Sequence, residues 1–156
     1  MADAERKVVC RNRKARHEYH IDEQIEAGLA LRGSEVKSLR LGKANLTDAY
    51  AAVRGGQLWL LKAHIDPYEQ ANRENHDPDR ERRLLVHRSE IHRLVGKLRT
   101  KGFTLVPLEI YFKGSWAKVN LALARGKREY DKRHDIAERD SKRQLQRITK
   151  RRVQGR

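Results

Sequence analysis

The sequence has little that could cross-link the chain or anchor it in a membrane. Its 156 residues contain one cysteine, Cys10, and no apolar run near the ~18–20 residues that a spanning helix needs. A single cysteine cannot form an internal disulfide, so a disulfide scaffold is excluded and a reducing compartment is favoured. Residues 1–16 also lack the apolar segment of a secretory signal. We therefore expect a cytoplasmic protein that does not enter a membrane.

Common catalytic and metal-binding patterns are absent as well. Seven histidines and one cysteine are not spaced as a zinc-ligand set, and neither a P-loop nor a GxGxxG motif occurs. Glu23 and Glu26 lie close in sequence, but a metal-dependent nuclease needs a second acidic cluster, and none stands out. We expect no catalytic residue, no bound metal and no cofactor, with an RNase kept as the less favoured alternative.

Positive charge is what the sequence has in excess. Lys and Arg number 36 against 21 Asp and Glu, for a net charge of +15, which favours a polyanionic partner such as nucleic acid. The charge is uneven: residues 1–16 carry +4, residues 17–124 carry +3, and residues 125–156 carry +8. About half of the excess therefore lies in the C-terminal fifth of the chain. Solvated termini that only keep the protein soluble are the alternative.

Patterns typical of a folded core occur only in residues 17–124. Apolar residues predict strands over Ile25–Leu31 and Arg83–His87. A hairpin is predicted around Gly55 and Gly56, because two glycines allow the positive φ angles of a tight turn. A short helix is predicted over about 34–41, with Ser34 as its N-cap.

The second half of this segment predicts one helix followed by two strands. Ser89 is the predicted N-cap of an amphipathic helix, and Gly102 the predicted end. Strands over about Phe103–Phe112 and Trp116–Leu123 follow, joined at Gly114 and Ser115. We expect an all-β core with added helices: an OB-fold-like closed antiparallel β-barrel with peripheral α-helices. A ribosomal-protein-like α+β sandwich is the alternative.

The last predicted strand has two chemically different faces. Alternation directs three apolar residues to the core and a cation and a ring to the outside. A lysine beside an aromatic ring suits RNA, because the cation can contact phosphate and the ring can stack on a base. A solvated lysine with a tryptophan packed under a loop is the equally weighted alternative. The core side is Val119, Leu121 and Leu123, and the outer side is Trp116, Lys118 and Asn120.

The chain from residue 125 onward has too few apolar residues to bury a core of its own. Neither Gly nor Pro occurs between Lys127 and Gln154, so a helix is open to it. We expect a tail that is disordered when free and at least partly helical on a partner. The predicted organisation is a basic extension over 1–16, a barrel over 17–124 and a basic tail over 125–156.

Several sequence blocks resemble one family. GSEVKSLR (33–40), NHDPDR (75–80) and ARGKREYDKR (124–133) occur together, and the similarity runs from about residue 12 to residue 148. In this combination the chain resembles the SmpB family, the SsrA-binding proteins of bacterial trans-translation. The resemblance implies an OB-type barrel with outer helices, which agrees with the strand pattern.

The resemblance also implies partners and a role. SmpB-like proteins bind the tRNA-like domain of tmRNA at its elbow. They enter stalled ribosomes with alanyl-tmRNA and elongation factor Tu, and the nascent peptide is then tagged for degradation. The tail is implied to lie as a helix in the empty mRNA channel, near the 16S rRNA decoding centre. No membrane is implied, and we expect a monomer. A generic ribosome-binding protein without a tmRNA role is the runner-up.

Four residues match family positions for tmRNA contact: Asn12, Glu26, Leu85 and Lys118. A carboxylate such as that of Glu26 can accept two hydrogen bonds from an unpaired guanine, which gives an acid a use in a basic protein. The alternative for Glu26 is a salt bridge with a nearby base such as Arg32. Leu85 could equally belong to the core.

The tail residues that match the ribosome-contacting segment are Tyr130, Asp131, Lys132 and Arg133. Ile148 matches an apolar position used in accommodation. Some members of the family have His where this chain has Tyr130. A stack on a ribosomal base survives that change, since a phenol ring also has a π-face, but a mechanism that needs an imidazole does not.

Overall fold

The computed structural model describes residues 6–100, 102–127 and 129–154 of the chain. The chain forms two compact units, with the boundary after Gly126. The first unit carries the strands β1 (Arg6–Arg11), β2 (Tyr19–Leu29), β3 (Ala44–Asn45), β4 (Tyr50–Arg54), β5 (Gln57–Leu61), β6 (His64–Ile65), β7 (Arg82–Leu85), β8 (Phe103–Lys113) and β9 (Trp116–Gly126). Its helices are α1 (Arg13–Glu18), α2 (Gly33–Arg40) and α3 (Arg88–Leu98), with a 3-10 helix over Glu69–Glu74. The second unit carries α4 (Glu129–Gln154).

Antiparallel pairing closes six strands into a ring. The order is β8, β4, β5, β7, β2 and β9, and β9 pairs again with β8. Strand β1 adds to the outer edge of β8, and the short strands β3 and β6 form a separate pair. The contact between β2 and β7 that closes the ring is short, with Gly28 opposite Leu85 and Leu29 opposite Leu84. The predicted OB-like all-β core with added helices is confirmed, and the α+β sandwich is not the fold.

The core lies inside this ring because the strands alternate. Ile25, Ala27 and Leu29 on β2 belong to one buried core cluster with Val119, Leu121 and Leu123 on β9. The inward side predicted for the last strand is therefore confirmed. Residues between them in sequence point outward, and on one stretch of the ring these outward residues form the candidate site.

Residues 6–16 belong to the folded unit, which differs from the predicted extension over 1–16. Strand β1 pairs with β8, and α1 covers part of the outer face of β8 and β2. This covering creates a second small core on the outside of the ring. Its members are Ala15, Val106, Leu108, Ala122 and Ala124. The charge pattern alone hid this role, because bases alternate here with the apolar residues that pack.

Two predicted N-caps are each wrong by two residues, since the observed N-caps are Arg32 and His87. Helix α2 begins after Arg32, whose backbone N–H donates to Glu35 at 2.8 Å. Ser34 lies inside the first turn, and its hydroxyl is 2.9 Å from Nδ1 of His76. Helix α3 likewise begins at Arg88, before Ser89. At the start of α2 the local cap is thus formed by Arg32 and Glu35.

Strand lengths also differ from prediction at their ends. β2 begins at Tyr19, well before Ile25, and β9 continues beyond Leu123 to Gly126. The extra residues pair with each other from Tyr19 opposite Gly126 to Glu23 opposite Leu123. The hairpin around Gly55 and Gly56 is confirmed, with both glycines at positive φ.

Residues 129–154 form one helix, α4. The side chains of residues 136–150 are all exposed, as the scarcity of apolar residues predicts. A helix with no buried side chains over this stretch gains little from packing. The disorder that we expect for the free tail stays a prediction.

Candidate nucleic-acid interface

An open groove of about 640 Å³ lies on the outside of the ring where β2, β7 and β9 are neighbours. Three of the four residues predicted to contact RNA line it: Glu26 from β2, Leu85 from β7 and Lys118 from β9. Strand alternation places them there, since the residues on either side of each face inward or lie in the adjoining turn. The family resemblance singled out these three side chains as RNA contacts. The fold brings them together from segments that are far apart in the sequence.

Gly28 forms the floor of the groove. It pairs with Leu85 on one side and with Lys118 on the other. A Cβ at residue 28 would lie 3.2 Å from Cβ of Leu85. Because glycine has no side chain, a ligand can approach the strand between the leucine and the lysine.

Glu26 presents a held carboxylate to this groove. The Tyr111 hydroxyl on β8 donates a hydrogen bond to Oε2, and Nζ of Lys118 lies 4.0 Å from Oε1. The Glu26 side chain is 42% exposed. The alternative, a salt bridge of Glu26 with a nearby base, is met by Lys118 on β9 rather than by Arg32. The carboxylate is therefore ordered and still open to a ligand.

Leu85 is half exposed, so the alternative that it belongs to the core is wrong. A second open groove of about 600 Å³ adjoins the first and shares Gly28, Leu85 and Lys118 with it. Trp116 lines this second groove and is 74% exposed. The pairing of Lys118 with an exposed aromatic ring on the outer face is as predicted. An exposed leucine and tryptophan beside charged groups give the surface both apolar and polar contacts for a ligand.

Helix α3 borders the first groove, and two of its cations share one carboxylate on β2. Arg93 lines the groove and hydrogen-bonds Glu23, and Nζ of Lys97 lies 2.7 Å from the same carboxylate. Hydrogen bonds from Lys97 and Arg93 lower the pKa of the Glu23 carboxyl. The carboxylate stays ionised at neutral pH and offsets part of the positive charge beside the site.

Comparison with known proteins identifies the family. The SmpB protein family model matches residues 9–151. The chain belongs to the SmpB family. An SsrA-binding protein of Desulforudis audaxviator is 59% identical over 150 residues, which cover 96% of this chain and 98% of the relative. One from Symbiobacterium thermophilum is 61% identical over 148 residues, 94% of this chain and 93% of the relative.

A solved structure agrees with the SmpB assignment. It is described as "tmRNA-SmpB: a journey to the center of the bacterial ribosome". Its matching chain is 50% identical, with a TM-score of 0.66 over 81% of this chain and 93% of that chain. Both the sequence and the fold thus place this chain among SmpB proteins.

Asn12, the fourth residue matched to an SmpB RNA contact, has a structural role. Its side chain is 6% exposed, and Nδ2 donates to the carbonyls of Leu46 at 3.1 Å and Pro107 at 3.0 Å. Its Oδ1 accepts the backbone N–H of Ala15 at 3.2 Å, so it caps α1. An RNA contact by Asn12 stays a prediction that this geometry does not support. The sequence signal that could have predicted this capping role is an asparagine directly before a helix.

The SmpB tail positions are described in part. Arg133 is exposed on α4, and Ile148 is 51% exposed. Leu145 lies three residues before Ile148 on the same side of the helix and is also exposed. The side chains of Tyr130, Asp131 and Lys132 lie outside the described part of the structure. Leu145 and Ile148 thus present exposed apolar surface on α4.

No group of three or more His, Cys, Asp or Glu in the part of the chain that the structure describes is arranged to hold a metal ion. Among the helices of residues 6–100, 102–127 and 129–154, none has both the length and the hydropathy of a membrane span.

Proposed function

We propose that this chain binds the tRNA-like domain of tmRNA through the groove between β2, β7 and β9 and serves trans-translation. The observation that carries the proposal is the convergence of Glu26, Leu85 and Lys118 from three strands onto one open surface. The family's SsrA-binding relatives supply the identity of the RNA.

The chemistry of the groove suits a folded RNA with unpaired loop bases. A carboxylate with free lone pairs accepts hydrogen bonds from a base edge, and an ammonium contacts phosphate. Leucine and tryptophan side chains cover the face of a base that is not stacked in a duplex. A site of this kind selects shape and a few unpaired bases, whereas charge alone would bind any RNA.

The tail has a separate task in this proposal. We propose that residues 125–156 enter the vacant mRNA channel of a stalled ribosome, with Tyr130 to Arg133 near the 16S rRNA decoding centre and Ile148 serving accommodation. The exposed apolar residues of α4 and the net charge of +8 over residues 125–156 support this task. The charge draws the segment to RNA, and the apolar side chains gain contacts there.

The protein acts as an adaptor in this proposal, without catalysis and in the cytoplasm. As a monomer it accompanies alanyl-tmRNA and elongation factor Tu to the ribosome, where the nascent peptide receives its degradation tag. The runner-up is a general ribosome-binding protein that has no tmRNA role.

A pull-down with tagged full-length protein, followed by RNA sequencing, separates the two. The proposal predicts strong enrichment of one RNA with a tRNA-like end over total cellular RNA. A variant with Glu26→Gln and Lys118→Gln should lose that enrichment while still recovering ribosomal RNA through its tail. A profile of ribosomal RNA alone from the unaltered protein would support the runner-up. RNA breakdown by the pure protein with magnesium would point to an RNase instead.

A further inference from the structure

Tyr111 is buried on the side of the sheet that faces away from the core. Its neighbours in sequence, Ile110 and Phe112, point into the ring, whereas Tyr111 is only 2% exposed on the outer face. It pairs across the sheet with Lys118, which in turn pairs with Gly28. Tyr111 therefore continues the cross-strand row of Lys118, Gly28 and Leu85 that forms the groove.

We infer that Tyr111 is a positioning residue, whose hydroxyl holds the Glu26 carboxylate in the orientation that receives the donor edge of an RNA base. The inference rests on the proposed RNA-binding function of the groove. Nothing in the sequence pattern singled out Tyr111, because its role depends on the register of β8 against β9 and β2.

Both carboxylate oxygens of Glu26 can still accept a hydrogen bond from a ligand. A carboxylate has about two lone-pair sites on each oxygen. Tyr111 occupies one site on Oε2, and Lys118 lies 4.0 Å from Oε1. Each oxygen keeps a site for an incoming donor, and a guanine edge offers two parallel donors of that spacing.

Tyr111 itself is held firmly enough to act as an anchor. The guanidinium of Arg6 lies 3.9 Å from the centre of its ring. Arg6 is fixed in turn by a salt bridge to Glu109. A free glutamate side chain would lose rotamer freedom when it binds RNA, and an anchored one has already lost part of it.

The phenol is a hydrogen-bond donor at any ordinary pH. Burial and the hydrogen bond to Glu26 raise the pKa of Tyr111 to about 12. The proton therefore stays on the hydroxyl, where it can be donated to the Glu26 carboxylate. This state is the one that the positioning role needs.

The test is the substitution Tyr111→Phe, which removes only the hydroxyl. Glu26 is exposed enough for water to replace the lost bond, so the fold should be kept. We expect affinity for a transcript of the tRNA-like domain of tmRNA to fall about 3- to 10-fold, as expected when a side chain must be ordered on binding. The matched control is Tyr68→Phe, which removes a hydroxyl bonded to Gln70 at 2.7 Å outside the groove. It should leave affinity unchanged.

Two further measurements separate positioning from a general structural effect. The double variant Tyr111→Phe with Glu26→Gln should bind no more weakly than Glu26→Gln alone, because the tyrosine acts through the glutamate. The slope of affinity against salt should be the same for Tyr111→Phe as for the unaltered protein, since no phosphate contact is lost.

The possible results are distinguishable. If the unaltered protein does not prefer the tRNA-like domain over another structured RNA, the proposed function fails. If it does, and Glu26→Gln weakens binding while Tyr111→Phe does not, only the positioning role is overturned. Additive losses in the double variant would likewise overturn it.

Discussion

The Glu35 carboxylate on α2 accepts a hydrogen bond from the Arg82 guanidinium on β7, and neither side chain is exposed to solvent. Arg82 also donates to the carbonyls of Ala63 at 2.6 Å and Pro78 at 3.0 Å. The pair thus joins α2, the long connection before β7 and β7 itself. Leu85 lies on the same strand as Arg82, so this buried contact helps to place one wall of the RNA groove.

Removing the charge of Glu35 should destabilise the protein strongly. Glu35→Gln leaves Arg82 buried without its counter-charge, so we expect the free energy of unfolding to fall by about 3–5 kcal/mol. Urea unfolding followed by circular dichroism measures the change. The control is Glu23→Gln, whose partners Arg93 and Lys97 are 46% and 43% exposed. That variant should lose about 1 kcal/mol or less, and equal losses in the two variants would contradict the role of burial.

The same carboxyl should make stability depend on acid pH. Burial raises the pKa of Glu35, but hydrogen bonds from Arg80, the Arg32 backbone and Arg82 outweigh it and hold the pKa below its ordinary value of 4.5. The unfolded state therefore binds the proton more readily. This contribution is fully present above about pH 4.5 and is lost as the pH falls through the folded-state value.

Thermal unfolding between pH 3 and pH 7 measures this effect. The unaltered protein should lose more stability over the acid half of that range than Glu35→Gln does. Parallel curves for the two proteins would show that other carboxyl groups cause the acid loss.

A methyl group on the floor of the groove should affect RNA binding more than stability. In Gly28→Ala the new Cβ meets Cβ of Leu85 at 3.2 Å, so Leu85 must shift by a few tenths of an ångström. We expect severalfold weaker binding of the tRNA-like domain with a small change in melting temperature. Gly96→Ala is the control, because its Cβ meets nothing within 4 Å in α3. It should stabilise the helix by about 1 kcal/mol and leave binding unchanged.

Lys118 should report a phosphate contact through salt. If its ammonium neutralises one phosphate, Lys118→Gln should make the slope of log affinity against log salt shallower by about 0.7–0.9. Fluorescence anisotropy with a labelled tRNA-like domain at four salt concentrations gives the slope. Lys43→Gln, an exposed lysine outside the groove lining, should leave it unchanged. A loss of affinity at an unaltered slope would assign Lys118 a role other than phosphate contact.

The sequence alone predicted most strands and the faces of the last one. Val119, Leu121 and Leu123 are the larger apolar residues at alternate positions of β9, and all three are buried in the core. The hairpin at Gly55 and Gly56 was equally predictable, since two glycines in succession favour one turn. These features depend on residues that are close together in the chain. A sequence pattern therefore predicts them directly.

The rest depended on contacts between distant segments. Asn12 matches a family position for RNA contact, yet its side-chain amide donates hydrogen bonds to the carbonyls of Leu46 and Pro107. These residues lie 34 and 95 positions away in the chain. Tyr111 reaches Glu26 across 85 residues. Periodicity carries no information about register between such strands, so neither role could be derived before the fold was known.

The central claim is that the groove binds tmRNA and the tail acts separately on the ribosome. Deletion of residues 129–156 tests it most directly, when affinity for the tRNA-like domain and peptide tagging on stalled ribosomes are measured on the same preparation. The account predicts affinity close to that of the full chain and no tagging, since the groove lies wholly within residues 24–118. Tagging by the truncated protein, or loss of its tmRNA binding at physiological salt, would contradict the account.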